Sequence, residues 1–415
     1  MRAKALTAAA VLAQRQGDIA GARRSYQESL VVQRARGDRI GEATALHGLA
    51  NLAVSEGDLV TGSSLFEQNL AIARELGAAR MEAASLMNLG VVAHAAFMRG
   101  HGDTKRAGSE AHEYYRQSLA AYEVLGDRYG QALALENLGT LTRLHFRDAD
   151  AARRLHEQSL AIRRELGDRL GIADSARYIA LLAIGTGEIG TARQLHEERL
   201  AIERELNNAA HVAEALTDLG EIALFEARLT EAGPYLEEAL ALYEAFDDRQ
   251  SLMRVLPHLG ELFRRQGDHT RSRSVLDRCL ALAHELDNRH TEAWTLTQLA
   301  RLARAKGDPA GALSRAQEAL AIAEEYQLSG VEAVVLDVAG SVAAEHGDLV
   351  TALRLAGAAQ ALRSSFFRPL EVEQSVDHAA ALRTLGADGY DRARTEGAEL
   401  TAAARRQLVR AVRVG

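Results

Sequence analysis

Glu136-Asn137-Leu138-Gly139, followed by a helix that ends in Leu160-Ala161-Ile162-Arg163-Arg164-Glu165-Leu166-Gly167-Asp168, is the stretch that decides the fold, because variants of it recur along almost the whole chain. The leucine near the end of each second helix marks the beat: Leu30, Leu70, Leu119, Leu160, Leu200, Leu240, Leu280 and Leu320. The steps are 40, 49, 41, 40, 40, 40 and 40 residues. A fixed period in this range is the sign of stacked supersecondary units.

Gly-Asp pairs keep the same beat at Gly17-Asp18, Gly57-Asp58, Gly267-Asp268, Gly307-Asp308 and Gly347-Asp348, with Gly187-Glu188 alongside. Gly102-Asp103 is displaced by an insertion, and Arg147-Asp148 and Ala227-Arg228 are degenerate members. Glycine closes one helix in the left-handed conformation, and the aspartate after it caps the next. Leu46, Leu49, Ala50 and Ala53 precede such a pair with helical spacing, and Leu65, Phe66, Leu70, Ile72 and Leu76 follow it. Each unit therefore reads as two antiparallel helices. Small residues recur once per helix, for example Ala50, Gly90, Gly139 and Gly220 on first helices and Gly62, Ala111, Ala152 and Ala232 on second ones. A mid-helix glycine costs about 1 kcal/mol relative to alanine, so its recurrence predicts close helix approach.

A leucine, Leu-Gly three and four residues on, then Gly-Asp, alanine, an aromatic and leucine: this pattern resembles the tetratricopeptide repeat (TPR). The ordinary TPR period is about 34 residues. The longer unit here is similar to the long-repeat branch of kinesin light chains and bacterial regulators. The resemblance covers roughly residues 1 to 365. It implies an all-α fold: a right-handed α-solenoid of about nine antiparallel helix pairs with a C-terminal helical cap. TPR domains are binding scaffolds, so the resemblance speaks to fold more than to function.

The chain has 415 residues, 47% hydrophobic and 26% charged, with 4 prolines and 5% aromatics. A solenoid buries such a complement as a continuous strip rather than in separate globules. The net charge of -8 shows no basic stripe, which argues against direct nucleic-acid binding. The single cysteine, Cys279, excludes an internal disulfide framework, suits a reducing cytoplasm and reads as a buried thiol. No apolar run reaches the ~20 residues of a membrane span. Met1-Arg2-Ala3-Lys4 and the alanines after it mimic a signal peptide. Leu6, Ala9, Ala10 and Gly17, however, fall in register with Leu46, Leu49, Ala50 and Gly57, which makes this segment the first helix of the array.

The pairs are expected at 1–37, 40–76, 80–126, 129–167, 169–207, 210–247, 250–287, 290–327 and 330–364. In the third pair Gly90 and Ala111 are 21 residues apart, where Ala50 and Gly62 are 12 apart. Nine residues are therefore inserted, around 97–108, and insertions in repeat arrays go to loops. Residues 366–415 change character. Phe366-Phe367-Arg368-Pro369-Leu370 breaks the helix, and helices are expected at 371–385, 387–395 and 400–412 as a cap over the last apolar face.

The tail also resembles the C-terminal end of LuxR-type and maltose-regulator-like signal-transducing ATPase regulators. The residues that carry this are Leu355-Ala356-Gly357-Ala358-Ala359-Gln360-Ala361-Leu362-Arg363, Pro369-Leu370 and Gly397-Ala398-Glu399-Leu400-Thr401. In those families a TPR sensor region follows a nucleotide-binding switch. No Gly-rich Gly-Lys-Ser/Thr phosphate loop and no helix-turn-helix module is found in this sequence, so neither ATPase nor DNA-binding activity is carried over.

In TPR arrays the first helices line the concave face, and the residue two before the small column points into it. That ladder reads Gly48, Asn88, Asn137, Tyr178, Asp218, His258, Gln298 and Val338. Three residues on lie Asn51, Val91, Thr140, Leu181, Glu221, Glu261, Arg301 and Ser341. The candidate ligand-binding residues are Asn88, Asn137, Tyr178, Asp218, Glu221, His258, Gln298 and Arg301, expected to form a solvent-lined polar stripe. Arg264, Arg265, Arg301 and Arg304 are expected to form a basic patch. The multi-lysine clamp that some TPRs use for C-terminal carboxylates is absent.

No His-Glu-x-x-His or Cys-x-x-Cys pattern occurs, so neither a metal nor another cofactor is expected. His156 and His196 stand in the column of Tyr26, Phe66 and Tyr115 and read as core fillers. The expectation is a non-catalytic cytoplasmic sensor or interaction module of a bacterial signalling or transcription-regulatory system. Its concave groove takes a protein, a peptide or a small-molecule effector, without membrane contact. The alternative is an assembly adaptor that acts through protein contacts with no ligand switch.

Overall fold

A computed structural model describes residues 2–100, 103–363 and 376–413. Among the described residues there are twenty α-helices, one π-helical turn and no strand. The first helices of the pairs are α1 (Arg2–Arg15), α3 (Arg39–Ser55), α5 (Ala79–Met98), α7 (Arg128–Leu141), α9 (Arg169–Gly185), α11 (Ala209–Phe225), α13 (Arg249–Arg265), α15 (Arg289–Ala305) and α17 (Ser329–Glu345). The second helices are α2 (Ile19–Ala35), α4 (Leu59–Glu75), α6 (Thr104–Leu125), α8 (Ala149–Leu166), α10 (Ile189–Glu205), α12 (Leu229–Ala245), α14 (His269–Glu285), α16 (Pro309–Glu325) and α18 (Leu349–Arg363). The tail adds α19 (His378–Ala398) and α20 (Ala402–Ala411). This repeated helical-hairpin arrangement is a TPR-like solenoid. The helices fall into two compact units, Met1–Ile179 and Ala180–Gly415, whose boundary lies within α9.

Most helices are 17 residues long and are joined by three-residue turns, which is why the whole 40-residue unit divides so evenly. In each such turn one residue adopts positive φ, as Gly57 does at 87° and Gly267 at 81°. Where glycine is missing the backbone still turns the same way, at Arg147 (56°), Asn207 (52°), Ala227 (57°) and Gln327 (55°). The aspartates then act as expected: Asp58 accepts from the Thr61 amide at 3.0 Å, Asp268 from Arg271 at 2.9 Å and Asp308 from Gly311 at 2.8 Å. Asp148, in a degenerate pair, caps as well, accepting from Ala151 at 2.8 Å.

The small columns are holes for the bulky side chains of second helices. A Cβ on Gly90 would lie 2.6 Å from the Tyr115 ring, and one on Gly220 or Gly260 would lie 2.5 Å from Leu236 or Leu276. Tyr115, Leu236 and Leu276 are at most 1% exposed. The buried strip that results carries most of the stability, at roughly 25 cal/mol per Å² of apolar surface removed from water.

The nine-residue insertion does not form a loop. It is spent mainly on helix, giving α5 20 residues and α6 22, where most other helices have 17. Local helical hydrogen bonding absorbs the extra chain more favourably than an open connection would, since α5 and α6 pack along their added length. The extension also makes α5 long and apolar enough to cross a membrane by length and composition, contrary to the reading of the sequence. Here it serves as the first helix of a hairpin and buries Leu86, Met87, Leu89 and Val92.

In the tail, the expected break at 366–370 and the residues 371–375 lie outside the described residues. Val376 and Asp377 are not helical, and the Asp377 carboxylate caps α19 by accepting from Ala380 at 2.9 Å, so α19 begins at His378. The expected boundary between two helices survives as a break at Gly386, with φ 67° and ψ 168°. Both tail helices pack on α18, and α20 also reaches α16 and α17. Val376, Ala381, Ala393 and Val409 are thereby buried in one core with Leu353 and Leu355.

Candidate functional site

In the unit Met1–Ile179, three ladder residues stand on successive first helices. Asn88 on α5 is half-buried and has no hydrogen-bond partner among the described residues. Asn137 on α7 is half-buried too. Its Nδ2 donates to the Leu133 carbonyl of its own helix at 2.9 Å and lies 3.8 Å from the Met87 sulfur. That fixes the amide and leaves its carbonyl oxygen without a protein partner among the described residues. Tyr178 on α9 lies flat against the His156 ring, with centroids 4.8 Å apart and planes 9° apart. The Arg177 guanidinium carbon sits 4.4 Å from the centroid of the same ring.

His156, on α8, is fully buried, and neither ring nitrogen has a hydrogen-bond partner. It fills the hole at Gly139, where a Cβ would lie 2.7 Å from Nε2. Burial, with the charges of Arg143, Arg177 and Arg163 added, pushes its pKa down to about 4, so the imidazole is neutral at pH 7. Arg163 is itself buried and bonded to Glu136 at 2.6 Å. Arg143 is different: it is half-buried and has no carboxylate partner among the described residues. The groups that act on its charge are Tyr178 and Arg177, after burial, which lowers its pKa.

Arg143 is presented by the π-helical turn Thr142–Phe146 at the end of α7. The turn accommodates one extra residue, because Gly139 and Ala152 are 13 apart where Gly220 and Ala232 are 12 apart. Reading the sequence for polar ladder positions missed Arg143. The signal was present as the 41-residue step between Leu119 and Leu160. π-turns commonly mark functional positions, since the added residue re-aims its neighbours.

In the unit Ala180–Gly415 the ladder is largely occupied by its own counter-charges. Asp218 on α11 accepts from Arg199 of α10 at 3.1 Å, faces Arg254 of α13 at 3.5 Å and lies 3.7 Å from His196. Arg199 is buried and also bonds Glu214 at 2.8 Å. Glu221 and His258 approach to 3.9 Å. Glu261 is buried: burial pushes its carboxyl up, but Arg264, Arg301 and Arg265 together outweigh this and hold it below the usual range. The expected basic patch is therefore not a patch. Arg264 and Arg265 grip Glu261 at 2.7 and 2.5 Å, and Arg304 bonds Glu345 at 2.6 Å.

Gln298 and Arg301 are only 3% and 2% exposed, so the stripe is not solvent-lined at that end. The helices on both sides cover them, because α15 buries Thr295, Thr297, Gln298 and Arg301 around its circumference. Cys279 is buried as expected, accepts from the Thr295 hydroxyl at 3.3 Å and has its thiol pushed up to about 11, mainly by burial.

Within Met1–Ile179 the lengthened hairpin also borders a cleft of about 840 Å³. Its floor is Leu89, Val92 and Ala93 of α5, and its walls carry Glu67 of α4 and the ion-paired Arg106 and Glu110 of α6. Among the described residues no three His, Cys, Asp or Glu side chains gather in a way that would hold a metal ion.

Residues 251–325 match the family model for the tetratricopeptide repeat. None of the curated proteins matches the chain. Among solved structures, the apo form of RapI is similar over 88% of this chain and 99% of its own, with a TM-score of 0.67 at 11% identity. Aspartyl phosphate phosphatase F from Bacillus subtilis is similar over 90% of this chain and 97% of its own, with a TM-score of 0.59 at 11% identity. A Rap protein complexed with Competence and Sporulation Factor covers 84% of this chain and 99% of its own, with a TM-score of 0.52 at 14% identity. At these identities the likeness is one of fold.

Proposed function

We propose that the chain is a non-catalytic binding scaffold that takes a peptide, a protein segment or a small-molecule effector along the ladder face of its first helices. One observation carries this reading: Asn88, Asn137 and Tyr178 form a half-buried polar stripe in which the Asn88 amide, the Asn137 carbonyl oxygen and the Tyr178 hydroxyl have no hydrogen-bond partner among the described residues. An asparagine side chain can donate to and accept from one extended backbone at the same time. The Rap protein that shares the fold was solved with Competence and Sporulation Factor bound, which supports the same use of such an array. Solenoids bind through extended faces of this kind, and small rotations between neighbouring units add up into a conformational response.

On this reading residues 1–365 carry the binding array and 366–415 close it. The wording of the tail, similar to bacterial signal-transducing ATPase regulators, supports a role in a cytoplasmic regulatory system. The test is native mass spectrometry of the protein purified from its bacterial type of host. A mass excess that vanishes on denaturation is expected, and the triple variant Asn88→Ala, Asn137→Ala, Tyr178→Ala should lose it while keeping its helical circular dichroism. A bare chain in the wild type, or an excess that the triple variant retains, overturns the reading.

A further inference from the structure

One group beside Tyr178, the Arg143 guanidinium, has no anion paired with it among the described residues. Arg143 is a half-buried guanidinium, and the charged group that acts on it is another guanidinium, that of Arg177. Removing a cation from water without a counter-charge is costly, and chains ordinarily pair such groups. This chain does so at the equivalent positions of other hairpins: Arg264 has Glu261, and Arg304 has Glu345. Three residues before Arg143, where Glu261 stands relative to Arg264, the residue is Thr140. Glu136, the acidic group on α7, is committed to Arg163 and also acts on Arg177. Next to these cations lies His156, a buried imidazole whose two nitrogens have no partner. In the next hairpin His196, in the same column, faces the carboxylate of Asp218; here the matching ladder residue is Tyr178.

We infer that the corner formed by Arg143 and Tyr178, with His156 stacked against the Tyr178 ring, is an anion subsite, which takes a carboxylate or phosphate group of the effector. The inference rests on the ladder-face reading and names the chemistry of one end of the ligand. The planar fork of Arg143 matches two oxygens of either group. The Tyr178 hydroxyl adds a donor, and the buried His156 ring stacked against Tyr178 holds that ring in place. The extra residue of the π-turn is what sets Arg143 at this corner.

The experiment uses the full chain at fixed ionic strength, with sodium chloride replaced in one arm by inorganic phosphate and in another by succinate. The melting midpoint is followed by circular dichroism, and binding by titration calorimetry. At least one oxyanion should raise the midpoint, by about 2–4 °C at ten times its dissociation constant. A response to phosphate alone identifies a phosphoryl ligand, and a response to succinate identifies a carboxylate ligand. R143Q should abolish the shift, and R143K, which keeps the charge but not the fork, should bind at least five-fold more weakly than wild type. Equal midpoints in all three salts, or an undiminished shift in both variants, overturns the subsite. The two readings fail separately. If R143Q retains a co-purified effector, the subsite falls and the ladder face stands. If the wild type carries no effector yet its oxyanion response depends on Arg143, the subsite stands and the ladder-face reading falls.

Discussion

At the scale of single residues, the recurring glycines divide into those that are holes and those that are not. Gly139 is a hole for His156. Gly139→Ala gains helix propensity of about 1 kcal/mol but drives a methyl into a fully buried ring, an overpacking that costs about 1–3 kcal/mol. The net expectation is destabilisation by about 1 kcal/mol in urea melts. Gly190, in the first turn of α10, has nothing within 4 Å of a built Cβ, so Gly190→Ala should stabilise by about 0.5–1 kcal/mol. If the two variants shift the midpoint the same way, the hole account is wrong. The column itself was legible in the sequence, because only a packing reason explains glycine kept mid-helix. That a histidine rather than an aromatic fills the hole at Gly139 was legible too. Its lack of any partner was not, since that depends on what α7 and α9 bring beside it.

The same histidine gives the stability a pH dependence. Unfolded, its imidazole protonates near 6.5; folded, near 4. Between those values the unfolded chain binds the extra proton, so stability falls as pH falls from 6.5 to 4, by about 3 kcal/mol from this group. Burial lowers the pKa of His47 and His94 as well, which adds to the same slope. His156→Phe should fold, because Phe66 and Tyr115 occupy the same column, and it should flatten the slope between pH 6.5 and 4. Urea melts at several pH values check this; an unchanged slope would place the proton elsewhere.

At the scale of helices and turns, the even 17-plus-3 division makes each turn a small experiment in capping. Ala78 holds the N-cap position of α5 with φ -85° and ψ 74° and offers no side-chain acceptor, whereas Asp58 caps α4 at φ -79° and ψ 80°. The backbone is already set for an aspartate. Ala78→Asp should therefore stabilise by about 1 kcal/mol, read as a higher urea midpoint, and Asp58→Ala should lose about as much. Failure of Ala78→Asp to gain, with Asp58→Ala losing, would mean that the Met81 amide is already satisfied. Here the sequence was most legible, down to the degenerate turns at Arg147 and Ala227. It was least legible where residues were added. Nine extra residues read as a loop and are mostly helix, and one extra residue read as a period of 41 and is a π-turn. Counting gives the length of an insertion but not whether the backbone satisfies its hydrogen bonds by extending a helix or by leaving it.

At the scale of the array, a solenoid ends in an apolar face that something must cover. In Ala180–Gly415 that cover is α19 and α20, and its fit depends on two glycines from the tail sequence. A Cβ on Gly357 of α18 would strike the Arg394 carbonyl of α19, and one on Gly397 of α19 would strike the Arg354 carbonyl of α18. The helices thus cross backbone to backbone through reciprocal glycines, with Arg354 and Glu396 paired beside the crossing. Carbonyl groups in a helix cannot move aside as a side chain does, so Gly397→Ala must push α19 off. The residues then uncovered include Leu353, Ala393 and Val409, all buried in the intact protein. Two further clamps, Arg405 on Glu332 at 2.6 Å and Arg406 on Glu324 at 2.7 Å, hold α20 and do not reach the crossing. Gly397→Ala is therefore expected to speed amide exchange in α17, α18 and α19 at least ten-fold, to raise binding of an apolar dye and to promote self-association. Exchange in α11 and α12 should stay unchanged, because each hairpin is held chiefly by its immediate neighbours. Gly389→Ala, where a Cβ meets only its own helix's Leu385 at 3.3 Å, serves as the control. Wild-type exchange in α18 of Gly397→Ala would show that the cap is held by its side chains and ion pairs, and that these two glycines are incidental to it.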